Sequence, residues 1–231
     1  GKEFTTILKS AYRTGNSIQQ ATLELINHLF GNHGLVVLIP DNARLKKIFQ
    51  PVVEREIKER FSNKAVSSTL AALEKNYKVQ AGGRELNLFY LLDDKRERIE
   101  LIKDNEGQTW FEVPALSLRF SQEEILEELD NYPDRFSANV ILRGVFQETI
   151  LPNIAFIGGG GELAYWMELK NVFEAVGVPY PVLVLRNSFL FVENNTAVLA
   201  ARLGFGITGL FKNETELLNE LVKNETAVQL N

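Results

Sequence analysis

No cysteine occurs anywhere in the 231 residues. Disulfides, thiolate nucleophiles and cysteine-ligated zinc are therefore excluded, and the composition suits a reducing cytoplasm. Histidine is nearly absent as well: His28 and His33 are the two present. They flank the end of one predicted helix, where its C-terminal dipole or plain surface placement accounts for them. A metal site needs further ligands beside them and the sequence offers none, so no metal is expected. Long apolar runs are also missing. None approaches the roughly 20 residues that cross a bilayer, and no membrane partner is expected. Positive charge is in deficit, with Lys and Arg totalling 25 against 30 Asp and Glu, a formal net charge of −5. Nucleic acids and anionic membranes need a basic face, so neither is an expected partner. The one short basic run, Lys95-Arg96-Glu97-Arg98, is broken by its glutamate and reads as a solvated hairpin turn. An initiator methionine is lacking too. The chain opens Gly1-Lys2 straight into a helix-like segment, the look of an excised piece of a longer protein.

What is present is ordinary globular material, 45% hydrophobic and 24% charged, enough to bury a core. Residues 4–31 read as a helix with an interruption near Thr14-Gly15-Asn16, ended by Gly31 and Gly34. Leu35–Ile39 is an unbroken apolar run, the pattern of a parallel strand covered on both faces. A helix from Ala43 to Phe61 and another over Ser67–Tyr77 follow. From residue 78 the texture becomes strand-like: Lys78–Ala81, Leu86–Leu92, Arg98–Ile102 and Thr109–Val113, with turns at Asp93-Asp94-Lys95 and Asp104–Gly107. Ser121 and Glu124 spell a capping box, and Ser137 reads as the N-cap of a helix from Asn139 to Leu151. Next come a short apolar run, four glycines and one helix carrying Leu163, Trp166, Met167, Lys170, Phe173 and Val176 on a single stripe. Val182–Leu185 then supplies a second buried strand, completing a βαβ unit. The tail after Asn213 places Leu217, Leu218, Leu221 and Val222 at a coiled-coil-compatible spacing. The expected fold is a Rossmann-like layered α/β structure with parallel strands, an inserted antiparallel β-meander and a C-terminal helix leading toward a coiled coil. Its divisions are 1–77, 78–120, 121–211 and 212–231.

The chemistry is expected where a strand runs through Gly158-Gly159-Gly160-Gly161 into a helix. In α/β proteins ligands sit at the carboxyl ends of strands and the amino ends of helices. Four glycines let a backbone take positive φ and approach a bound group; the alternative is a tight turn with no ligand. The sequence is neither a phosphate-binding Walker loop nor a dinucleotide fingerprint. Glu162, in the first helical turn, either complements the helix dipole or holds an ammonium and takes its proton. Arg143 on the preceding helix, and Arg186 and Asn187 after the second strand, suit bound carboxylates but also fit surface charges. Tyr165 and Trp166 read as core or as stacking groups.

Several blocks together resemble a known family. They are Phe136-Ser137-Ala138-Asn139-Val140-Ile141-Leu142-Arg143, Gln147-Glu148, Leu151-Pro152, the stretch Gly158 to Trp166, and Pro181 with Arg186-Asn187-Ser188. With the Gly34–Leu38 and Asn87–Tyr90 strands, they are similar to the bacillithiol biosynthesis cysteine-adding enzymes. Departures are Ala138, Gly144 and Gly160, where that family often has proline, and Leu185 before Arg186. The resemblance implies a ligase that joins cysteine to the amino sugar of glucosaminyl malate, forming an amide. It implies Glu162 as the catalytic group and Arg143, Gly158 to Gly161, Tyr165, Arg186 and Asn187 as substrate-binding. It also implies a cytoplasmic homodimer held by a coiled coil, and activation by a nucleotide such as ATP whose ligands lie outside this chain. The family's His-x-Gly-His motif is not in this sequence, so the chain looks like the middle of such a protein. Two other readings remain at this level: a sugar-phosphate or nucleotide-sugar enzyme using the loop as a phosphate cradle, and a non-catalytic assembly module.

Overall fold

A computed structural model describes residues 2–225; the end of the predicted tail, residues 226–231, lies outside the described residues. By its internal contacts the chain divides into one unit ending at Arg186 and another beginning at Asn187.

The first unit opens with α1 (Lys2–Ala11) and α2 (Ile18–Phe30). They are separate helices because Gly15 turns the chain at φ +96° and Ser17 starts afresh, its Oγ accepting from the Gln20 amide at 3.1 Å. Leu35–Ile39 is not the predicted strand. It runs without regular structure, with no ladder partner, and leaves Val36 78% exposed. Asn42 then caps α3 (Ala43–Glu59) by accepting from the Arg44 and Leu45 amides. Phe49, Val53 and Ile57 recur every four residues along α3 and are buried. Next comes α4 (Phe61–Leu73), which starts and ends earlier than the predicted Ser67–Tyr77 helix.

The predicted strand at Lys78–Ala81 is also absent. The amides of Gln80 and Ala81 donate instead to the buried carboxylate of Glu168, at 2.8 and 2.6 Å, so they have no ladder to join. The rest of the predicted meander is two antiparallel sheets. In one, β1 (Leu88–Leu92) lies between β2 (Lys95–Arg98) and β6 (Phe136–Ala138). In the other, β4 (Thr109–Val113) lies between β3 (Glu100–Lys103) and β5 (Leu118–Phe120). Lys95–Arg98 is therefore a strand, not a solvated turn. Asp93 and Asp94, at φ 49° and 61°, form the two-residue connection, and two successive positive φ values suit the right-handed twist of a hairpin. Leu91 thereby pairs with Arg96.

Ser121 and Glu124 make the predicted capping box for α5 (Gln122–Asn131). The cap of α6 (Val140–Ile150) is Asn139, not Ser137: Asn139 Oδ1 accepts from the Ile141 and Leu142 amides, while Ser137 pairs with Phe89 inside β6. β7 (Ala155–Gly158) and β8 (Val182–Leu185) are parallel, in the register Gly158 to Leu185. They form a two-stranded sheet whose inner face, Phe156 and Leu183, packs on the core. Its outer face is open, with Ile157 66% and Val182 63% exposed, so these strands are not buried on both sides as predicted. The connecting helix is broken into α7 (Gly160–Glu168) and α8 (Lys170–Val176). The Leu169 amide bonds three residues back, to Trp166 O, and this rotates the stripe. Met167 and Lys170 face solvent, Leu169 and Val172 are buried in their place, and Trp166 and Phe173 are buried as expected.

The second unit contains α9 (Asn194–Arg202), a 3₁₀ turn over Ile207–Phe211 and α10 (Glu214–Glu225). Gly209 is buried within it, where a Cβ would meet that of Phe205 at 3.4 Å.

Candidate functional site

The glycine corner is built by the end of β7, the start of α7 and the end of β8. The Arg186 amide donates to Gly158 O at 2.9 Å, continuing the ladder past the last strand pair. Gly159 is the N-cap of α7, at φ −71° and ψ 166°. None of the four glycines has positive φ, so the expected conformational reason for them does not hold. The reason is steric. A Cβ on Gly158 would lie 2.7 Å from the Phe156 ring, and one on Gly159 would lie 3.2 Å from Nε and Nη2 of Arg186. At Gly160 and Gly161 a Cβ would meet nothing within 4 Å. The first turn of α7 thus opens onto free space, beside a guanidinium that makes no ion pair within 4 Å among the described residues. Free amides, the helix dipole and Arg186 all favour an anion there.

Glu162 turns back over this corner, its Oε2 accepting from the Gly159 amide at 2.8 Å. It therefore caps its own helix and already satisfies one amide donor. Taking a proton from an amine would require it to swing off Gly159. Tyr165 is half-buried, with its hydroxyl enclosed and without a hydrogen-bond partner. Burial, with a smaller contribution from Glu168, pushes its ionisation well above the ordinary tyrosine value. Trp166 is core: its ring stacks on Phe156 with centroids 4.0 Å apart, and its carbonyl accepts from the Tyr180 hydroxyl at 2.7 Å. Asn187 belongs to the second unit, exposed and outside any helix or strand.

Arg143 is exposed on α6 and lines a different feature, an open cavity of about 730 Å³. The α6 side of its wall also carries Gln147 and Asn153, the hairpin contributes Leu91 and Arg96, and α3 contributes Lys46 and Phe49. Buried Glu148 holds the turn between α6 and β7, accepting from the Asn153 amide and side chain and from Gln147 Nε2. Lys46 is spent internally, on Asp41 at 2.6 Å and the Asp134 carbonyl at 2.6 Å. The Arg96 guanidinium lies over Phe89, 3.7 Å from the ring centroid, with Nη2 donating to Ala138 O at 2.9 Å. Burial lowers its proton affinity, and the positive charges of Arg143 and Arg98 lower it further.

The start of α6 is fixed by a buried network. Glu56 accepts from the Ser62 amide, the Ser62 hydroxyl and the Asn87 amide. Asn87 accepts in turn from Asn139, through its carbonyl to the amide and through Oδ1 to Nδ2. Burial raises the Glu56 pKa above the ordinary carboxylate value, against the opposing pull of those hydrogen bonds. Reading the sequence alone missed Arg96, Glu56 and Asn87. The signal for Arg96 was the Asp93-Asp94 pair: a two-residue hairpin there sets Arg96 opposite Leu91.

No group of three or more His, Asp or Glu among the described residues could hold a metal ion, and no helix among them is long and apolar enough to cross a membrane. Residues 1–187, nearly coextensive with the first unit, match the family model described as bacillithiol biosynthesis BshC, N-terminal Rossmann-like domain. Curated relatives provisionally named cysteine ligase BshC are similar over almost the whole chain. One from Flavobacterium johnsoniae is 40% identical over 221 residues, covering 96% of this chain and 41% of the relative. One from Christiangramia forsetii is 39% identical, covering 100% of this chain and 43% of the relative. One from Bacillus cereus is 32% identical, covering 95% of this chain and 40% of the relative. The chain thus spans about two-fifths of the length of these relatives.

Proposed function

The chain belongs to the bacillithiol biosynthesis BshC family, and from that premise we propose that it forms part of a ligase joining the carboxyl group of cysteine to the amine of glucosaminyl malate. The observation that carries this reading is the glycine corner, where the first turn of α7 opens onto free space at Gly160 and Gly161 beside Arg186, which makes no ion pair among the described residues. Amide formation passes through a tetrahedral oxyanion, which such donors stabilise once water is displaced. The nitrogen must also lose a proton as it attacks. Glu162 is the carboxylate at hand, released from Gly159 when the amine arrives. Condensation expels the elements of water, so the cysteine carboxylate needs an activator, and we assign that task to a nucleotide such as ATP. The setting we propose is cytoplasmic, with a homodimer formed through the helical tail.

The test is mass spectrometry of the protein in its full natural length, incubated with cysteine, glucosaminyl malate and ATP. The expected outcome is a product at the amide mass, reduced at least a hundredfold in rate by Glu162→Gln, within the roughly 10²–10⁴-fold range of general acid–base catalysis. Full activity in the variant would return Glu162 to helix capping. A product seen with inorganic phosphate or sugar phosphates as ligands, and none with malate derivatives, would favour the phosphate-cradle reading.

A further inference from the structure

The cavity beside α6 has a charge imbalance that its own fold does not resolve. Lys46 and Asp41 on its wall neutralise each other. Arg96 and Arg143 remain, on opposite elements, and neither makes an ion pair within 4 Å among the described residues. Two cations brought together without an anion cost free energy in the unliganded protein, and the repulsion disappears when an anion binds. Arg96 is moreover preorganised. Its guanidinium lies 3.7 Å from the Phe89 ring centroid, with Nε donating to Ser137 Oγ at 3.4 Å and Nη2 to the Ala138 carbonyl at 2.9 Å, which leaves Nη1 without an acceptor among the described residues. The Arg143 side chain donates no hydrogen bond to any of the described residues.

We infer that Arg96 and Arg143 form a clamp for a small dicarboxylate, one carboxylate on each guanidinium, in the cavity between the β1–β2 hairpin and α6. One feature favours a dicarboxylate over a phosphate. Each guanidinium fork can take an anion two bonds at a time, but the two forks stand on different elements, so a ligand with separated charges fits better than a single tetrahedral anion. The remaining wall is partly apolar, with Leu91, Phe49 and Phe146, and suits a short carbon chain between the charges. As to the source of the dicarboxylate, the clamp rests on the proposed function: the malate of glucosaminyl malate carries two carboxylates. Arg96 thereby becomes a specificity residue on a hairpin whose basic run reads, in the sequence, as a solvated turn. Gln147, whose side-chain amide donates to Glu148, also lines the cavity.

Calorimetric titration of the full-length protein with malate, succinate and inorganic phosphate tests this, in the wild type and in Arg96→Gln, Arg143→Gln and Arg98→Gln. Arg98 removes the same charge from the same hairpin but does not line the cavity. Malate and succinate are expected to bind. Each of the Arg96 and Arg143 variants is expected to weaken them about tenfold or more, the scale of a lost charge-assisted hydrogen bond. Arg98→Gln should stay within about twofold. Equal losses in all three variants would reduce the effect to net charge and overturn the clamp, as would phosphate binding tighter than malate, or no loss in Arg143→Gln. The exposed Arg143 side chain makes no hydrogen bond or ion pair with the described residues, so its variant decides the matter even if Arg96→Gln misfolds. The product assay runs in parallel. Product formed with an unchanged KM for glucosaminyl malate in both clamp variants overturns the clamp and leaves the ligase; malate binding lost in both without any product in the wild type overturns the ligase and leaves the clamp.

Discussion

Glu56 shows how much a single residue can organise at a distance from the chemistry. Its carboxylate gathers Ser62 and the Asn87 amide, and Asn87 holds Asn139, which caps the helix carrying Arg143. Burial raises its pKa in the folded state. Above the unfolded value of 4.5, the unfolded chain has released a proton that the folded chain still holds. The contribution of this group to stability is therefore full below that pH and is lost as pH rises through the raised value. Glu56→Gln cannot titrate, so denaturant unfolding from about pH 4.5 upward should show a flatter pH dependence in the variant than in the wild type. Parallel profiles would show that Glu56 is ionised throughout. None of this was legible in the sequence, because Glu56 lies among alternating charges on α3 and only the folded neighbours make it a buried acceptor. Glu162 is the opposite case. Its place in the first turn marked it as a dipole-complementing residue, and the bond to Gly159 is what that place implies.

Elements were legible where local chemistry alone determined them. The helix beginning at Ala43, the capping box of α5, and the parallel pair around the glycines all follow from short-range pattern. They failed where a distant partner decided. Leu35–Ile39 has strand composition and finds no ladder among the described residues; Gln80 and Ala81 give their amides to Glu168, 88 and 87 positions away in sequence. At the corner the glycines follow a steric logic that separates stability from binding. Gly158→Ala should destabilise by about 1–3 kcal/mol, since its Cβ would lie 2.7 Å from the Phe156 ring. Gly160→Ala meets open space at an ordinary helical φ, so it should leave stability unchanged or raise it by about 0.5–1 kcal/mol. The same methyl would stand in the proposed anion site and lower ligase activity. Thermal unfolding and the product assay on both variants separate the two effects. A destabilised Gly160→Ala would mean that the corner is only a turn.

At the scale of the whole molecule, an acidic chain of net charge −5 keeps two local concentrations of positive potential, at Arg186 and at the Arg96–Arg143 cavity. Composition excluded a broad basic surface but could not show these, because each joins residues far apart in sequence. The proposed ligase requires that small anions reach the glycine corner of the first unit. The direct measurement is an amide NMR spectrum of protein labelled with ¹⁵N at its 16 glycines, recorded with and without glucosaminyl malate and cysteine. The account predicts that the Gly160 and Gly161 amides shift on ligand addition while Gly15 and Gly107, in turns elsewhere in the first unit, stay in place. Unmoved Gly160 and Gly161 amides, under conditions where the ligands bind or the amide product forms, would contradict it.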